Sequence, residues 1–198
     1  MNKLISSLVI TLCICTTAVF SQSPTECLQK VREMEPKVPM FFDRAKAELQ
    51  KVMPDPSAYE KTLPPFDQVV AKKDVQNLKN YGGLSEAYFY QNDLKNGNRL
   101  YKQFAPRANT ILPPADTFKA GVSGDIGIYY FTHKNYAAAK PLLLESTQSF
   151  EKHLNSANAN NLVSNYLCLS LIFDKEHKTP TAQNYAKKMA DLLARQRR

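Results

Sequence analysis

The chain has 198 residues, 26 Lys and Arg against 18 Asp and Glu, a formal net charge of +8, and 43% hydrophobic and 22% charged residues. That length suits one domain, and this apolar-to-charged balance excludes a disordered or collagen-like chain. Four cysteines are too few for a disulfide scaffold.

In chain order, Met1, Asn2 and Lys3 form a short positive start, followed by the uncharged, mostly apolar run Leu4 to Phe20 and then Ser21. A charged start, an apolar run and small residues at the cleavage site (Val19 and Ser21) predict a secretory signal peptide over residues 1–21. The run is at the short edge for a membrane anchor and is diluted by Ser and Thr. Leu12 and Ile14 precede Cys13 and Cys15 where lipidation sites want a small residue. Removing residues 1–21 takes away Lys3, Cys13 and Cys15, leaving a charge of +7 and two cysteines, Cys27 and Cys168. In an exported chain these either close one bridge, worth about 4–5 kcal/mol for so long a loop, or leave Cys168 as a buried free thiol. No further apolar run is long enough to cross a membrane. The expected location is a periplasm or cell envelope, or else the extracellular space. The 13 Asn after residue 21 include no N-x-Ser/Thr sequon, which leans away from eukaryotic secretion.

Proline marks the next joints. Ser23, Pro24 and Glu26 read as an N-cap, a first-turn proline and a capping glutamate, opening a helix through Glu35. Pro36 and Pro39 break it. Val38, Phe41, Phe42, Ala45, Leu49 and Val52 then share one helical face, closed by Pro54. Asp55-Pro56 opens a short turn or helix, and Pro64-Pro65 ends an N-terminal segment over residues 22–65. No stretch alternates with the period of a strand, so the expected fold is all-α, with two or three helices before the next region.

Residues 66–198 carry a repeat. Windows starting at Leu78, Ala120 and Val163 are 42 and 43 residues apart. Their seventh places hold the large residues Leu84, Ile126 and Leu169, and their eighth the small Ser85, Gly127 and Ser170. Their eleventh hold the aromatic Tyr88, Tyr130 and Phe173, and their twentieth the small Gly97, Ala139 and Ala182. Small residues let two helices approach, and the large ones fill the space beside that contact. This predicts stacked helical hairpins near 78–119, 120–162 and 163–198, with polar turns at Gln91–Asp93, His133–Asn135 and Lys175–Lys178. Thr179-Pro180 reads as the N-cap and first residue of the last helix.

The stretch Ile126-Gly127, Tyr130, Lys134-Asn135-Tyr136, Ala139 resembles the tetratricopeptide (TPR) repeat, with Lys134 where that family usually has Gly and a period longer than its 34 residues. The resemblance implies an α-α superhelix whose first helices line a concave, partner-binding face. Carried over, the lining places are Lys79, Gly82, Glu86 and Phe89, then Gly121, Gly124, Ile128 and Phe131, then Ser164, Leu167, Leu171 and Asp174. Phe89, Ile128, Phe131 and Leu171 would form an apolar floor. Glu86 and Ile128 stand where the family's carboxylate clamp wants Asn, so an apolar anchor is expected there instead.

Other chemistry is thinly represented. His133, His153 and His177 lack the carboxylate or Cys support of a metal site, although His133 and His177 occupy equivalent turns. No H-E-x-x-H, G-x-S-x-G, P-loop or G-x-G-x-x-G is present, and Gly121, Gly124 and Gly127 have helical spacing rather than that of a phosphate loop. Neither an enzyme nor a cofactor is therefore expected. Residues 22–110 hold 14 basic and 11 acidic groups and residues 111–198 hold 11 and 7. So even a spread, tightened only at Arg195, Arg197 and Arg198, argues against nucleic acid. The expected function is an exported interaction or assembly module for a protein or peptide partner. The alternatives are a self-associating structural protein whose groove is filled internally, and an accessory subunit or small enzyme without a motif.

Overall fold

Local capping explains where the first helices begin. The computed structural model describes residues 23–196, so the signal peptide expected over residues 1–21 lies outside them. Helix α1 (Pro24–Met34) opens on the expected capping box: Glu26 N donates to Ser23 Oγ at 3.3 Å and Ser23 N donates to Glu26 Oε2 at 2.7 Å. The prolines that follow redirect the chain without making a loop. Pro36 lies in a single 3₁₀ turn (Glu35–Lys37), and Pro39 sits in the first turn of α2 (Val38–Val52), where no N–H is needed. The face of α2 that buries Val38, Phe42, Ala45 and Leu49 ends on Met53, which is 4% exposed, and not on Val52, which is 50% exposed. The backbone leaves helical geometry at Met53, so helical spacing no longer decides which side chain points inward. Asp55 caps α3 (Pro56–Glu60) by accepting from Ala58 N, and α4 (Phe66–Ala71) follows.

Three helical hairpins make up the rest: α5 (Val75–Tyr90) with α6 (Leu94–Ile111), α7 (Phe118–Thr132) with α8 (Tyr136–Lys152), and α9 (Ala159–Lys175) with α10 (Thr179–Gln196). The partners within each hairpin pack most extensively, and neighbouring hairpins join through α5–α7, α7–α9 and α8–α9. Helix α1 lies on α9 and α10, while α2 lies on α5 and α7. The described residues are all-helical, with no strand, and none of their helices is long and apolar enough to cross a membrane.

The turns repeat one device. Asn92, Lys134 and His177 each adopt a left-handed conformation, with φ of 62°, 60° and 58°, and Lys73 does the same at 50° before α5. That conformation ends a helix and reverses the chain, and glycine would hold it without strain. The next residue then caps the following helix. Asp74, Asp93 and Asn135 accept from the backbone N of Asn77, Asn96 and Ala138. The last turn differs. Helix α10 starts at Thr179 itself, and the Lys178 carbonyl accepts from Ala182 N at 3.0 Å, so Thr179 is the first helical residue and not the cap.

The repeated places lie between the helices. Leu84, Ser85, Tyr88, Gly97, Ile126, Gly127, Ala139, Leu169, Ser170, Phe173 and Ala182 are buried, and Tyr130 is half-buried. A Cβ added at Gly97 would stand 2.8 Å from the Phe89 ring, and one at Gly127 2.8 Å from Leu143. Ser170 Oγ donates to Ala182 O at 2.8 Å, tying the eighth place of the last repeat to its twentieth. Cys27 and Cys168 are both buried as free thiols, Cys27 on α1 and Cys168 inside α9, so the bridge considered above does not form.

Candidate functional site

The places assigned to a concave face have three fates. Phe89 is core, wedged over Gly97 and edge-on to Tyr129 and Tyr130, with ring centroids at 5.3 and 5.5 Å. Phe131 (beside the Tyr136 ring), Leu167 and Leu171 are also buried, and Ile128 is at the margin at 9% exposed. Gly82 and Gly124 are close-packing contacts: a Cβ at Gly82 would meet Phe104 and Phe118, and one at Gly124 would meet Ser146 Oγ. Two charged residues are taken by ion pairs. Lys79 pairs with Asp116 and lies over the Phe118 ring, and Asp174 receives a bidentate pair of hydrogen bonds from Arg32 at 2.7 and 2.8 Å. The apolar floor is therefore sealed. Phe42 on α2 stacks on Tyr90 at 4.8 Å and tilts against Tyr129 at 5.7 Å, so α2 covers the ends of α5 and α7.

What remains is polar. Glu86 is 7% exposed, and among the described residues its carboxylate has neither a hydrogen-bond donor nor a cation. Its neighbour across the α5–α7 seam is Asp125, whose carboxylate is equally without a partner among the described residues. Burial pushes the Asp125 carboxyl up to about 7, and burial reinforced by the Asp125 charge holds Glu86 well above the ordinary carboxylate range. Tyr90 shares the site: burial and then both carboxylates raise its phenol.

Next to this pair, between α7 and α9, is a small cavity of about 10 Å³ lined by Gly121, Asp125, Ile128, Asn161, Ser164 and Asn165 among others. Asn161 Oδ1 is buried there without a hydrogen-bond partner. Asn165 Nδ2 donates to Ser146 Oγ at 2.8 Å, and Ser146 Oγ in turn donates to Ala120 O at 2.6 Å, which fixes the cavity wall. Two glycines leave this side of α5 and α7 bare. A Cβ at Gly83 or at Gly121 would meet nothing within 4 Å.

A larger cleft, about 350 Å³, lies between the end of α6 and helices α7 and α8, where Lys119 bridges Glu145 and also donates to Asn109. Of its charged residues, Asp116, Lys119 and Glu145 are already paired. Of the histidines, His133 stacks on Tyr129 at 4.1 Å and its Nδ1 lies 2.8 Å from Tyr129 O, which makes it a structural side chain. Among the described residues no three His, Cys, Asp or Glu stand close enough to hold a metal ion.

Sequence reasoning singled out Glu86 but missed Asp125 and Asn161. The signal for Asp125 was present, since α7 carries only Lys119 and Asp125 as charged residues in an otherwise apolar and small-residue helix. Compared with protein-family models, with curated proteins and with solved structures, the chain matches none.

Proposed function

We propose that the protein is an exported, TPR-like α-α superhelix that works as an interaction module, with the recognising surface on the exposed side of α5, α7 and the start of α9. The observation that carries this reading is the contrast on that side. Carboxylates and an amide oxygen are held there without partners beside two bare glycines, in a chain whose other buried polar groups are largely satisfied. An unpaired buried polar group costs about 1–3 kcal/mol, more if charged, and a partner that supplies the missing donors recovers that energy on binding. A catalytic reading has less support, because burial raises both thiols away from the reactive thiolate form.

The test is capture from the native envelope by immobilised protein, wild type against Gly83→Gln. The open space at Gly83 lets the longer side chain cover the surface without a clash. The expected result is unchanged helical content with capture lost. Unchanged capture overturns the reading.

A second reading, a structural protein whose face is closed by its own N-terminal helices, is favoured by the Arg32–Asp174 and Lys175–Glu35 bridges and by the Phe42–Tyr90 stack. Light scattering separates it, since a self-associating structural protein is multimeric at all accessible concentrations.

A further inference from the structure

We propose that the cavity between α7 and α9, with the adjoining Glu86, binds a primary ammonium group. The proposal deepens the interaction reading by naming what its surface takes.

Size limits the ligand first. About 10 Å³ is room for one water-sized group, and an ammonium head has that size while a planar guanidinium does not. Donor and acceptor chemistry limits it next. An ammonium group has three donors and no acceptor. The cavity offers at least three acceptors to match. They include the Asp125 carboxylate, the buried Asn161 Oδ1, and Ser164 Oγ, whose own proton goes to Asn160 O at 3.1 Å and leaves its lone pairs free. Of the two amide groups in the wall, Asn165 commits its Nδ2 to Ser146 Oγ, and Asn161 keeps its Oδ1 enclosed and free to accept. Charge points the same way. Two carboxylates face each other with no cation among the described residues, although Lys and Arg outnumber Asp and Glu in the chain. A single water brings only two donors and no charge, so it would leave the pair uncompensated. The alkyl stem of the ligand has an apolar path over Ile128 and the bare backbone of Gly121.

A lysine side chain of a protein segment and a free alkylamine present the same group. The test titrates the full chain by NMR with butylammonium, with the peptide acetyl-Gly-Lys-Gly-amide, and with its Arg and norleucine counterparts. The expected result is saturable binding of the first two, with shifts on Gly121, Asp125 and Asn161, and at least tenfold weaker binding of the Arg and norleucine peptides. Tighter binding of the Lys peptide than of butylammonium, by tenfold or more, assigns the site to a protein segment; equal binding assigns it to a free amine. Asp125→Asn should weaken both at least tenfold, and Asn161→Leu, which removes the orphan oxygen and fills the space, should do the same should the first variant fold poorly. Absence of saturable shifts, equal binding of the Arg peptide, or full binding by the folded variants overturns the site. The control is the envelope capture run in excess butylammonium. Capture that persists while no amine shift is seen leaves the interaction reading standing without this site. Amine binding that survives in Gly83→Gln while capture was never present does the reverse.

Discussion

The outer faces of the hairpin stack and its α5–α7 seam treat charge in opposite ways. On the outer faces of the stack ionic groups are matched: Arg32 holds Asp174, Lys175 holds Glu35, Lys140 and Lys178 share Glu176, and Lys188 holds Glu151. At the α5–α7 seam, Glu86 and Asp125 face each other with neither cation nor hydrogen bond among the described residues. Exposed bridges of the first kind contribute little, since water screens them and long side chains must be ordered to make them. The seam is the reverse: it lowers stability, and no packing requirement explains keeping two acids there. The overall basic charge of the chain is spread over its surface, while its strongest electrostatic anomaly is a buried pair of acids.

The comparison can be broken most forcefully from the core. Phe89→Ala should destabilise the protein by about 3–5 kcal/mol, as buried aromatic truncations do, with any ligand effect secondary to that loss. A small change in the denaturation midpoint would place Phe89 outside the core. Gly97→Ala and Gly127→Ala should cost about 1–3 kcal/mol, because the added methyl meets Phe89 or Leu143 at 2.8 Å.

The seam predicts an unusual pH response. Its two carboxyls are raised in the folded state, so from about pH 7 down to about pH 4 the native protein holds protons that the unfolded chain has released. Stability therefore rises as pH falls through that window, by up to about 1.4 kcal/mol per pH unit for each proton. Below it, the carboxyls lowered by their hydrogen bonds, such as Asp74, Asp93 and Asp174, reverse the trend. Glu86→Leu should flatten the slope and stabilise the protein at pH 8 by about 1–3 kcal/mol. Denaturant melts of wild type and variant across this range measure it, and a stability that rises from pH 5 to pH 8 would contradict the buried pair.

The smallest effects sharpen the picture. Gly83→Ala and Gly121→Ala add a methyl in open space on a helix, and each should stabilise by about 0.5–1 kcal/mol, in contrast to Gly97 and Gly127. Lys134→Gly should relieve a left-handed non-glycine residue by about 1 kcal/mol. Calorimetric midpoints up by about 2–4 °C per kcal/mol would register both.

Much of the hairpin arrangement was legible because size classes at fixed places are imposed by helix contact itself: Ser170 and Ala182 touch, and Gly97 makes room for Phe89. The first helix was legible from its capping box. The site was less so. Phe89 was placed on a groove because one aromatic on a helix wheel looks alike on either side of it, and the depth of the cleft under Gly97 belongs to the partner helix. Glu86 and Asp125 come together only through the α5–α7 packing, and Asn161 only through α7–α9, so no period along one helix records them. Helix α4 escaped notice because six residues are too few to display a face.

The left-handed joint has a further consequence. It stands at Lys73 as well as at Asn92, Lys134 and His177, so it occurs ahead of α5 where no full hairpin precedes it. At Lys73, Asn92 and Lys134 the unit that recurs is the joint plus its capping residue, and at His177 the joint alone. Because three of these joints lie inside hairpins whose two helices pack most extensively, the links between hairpins, residues 112–117 and 153–158, are the natural points for lengthening or shortening the stack, while the left-handed joints hold each hairpin together.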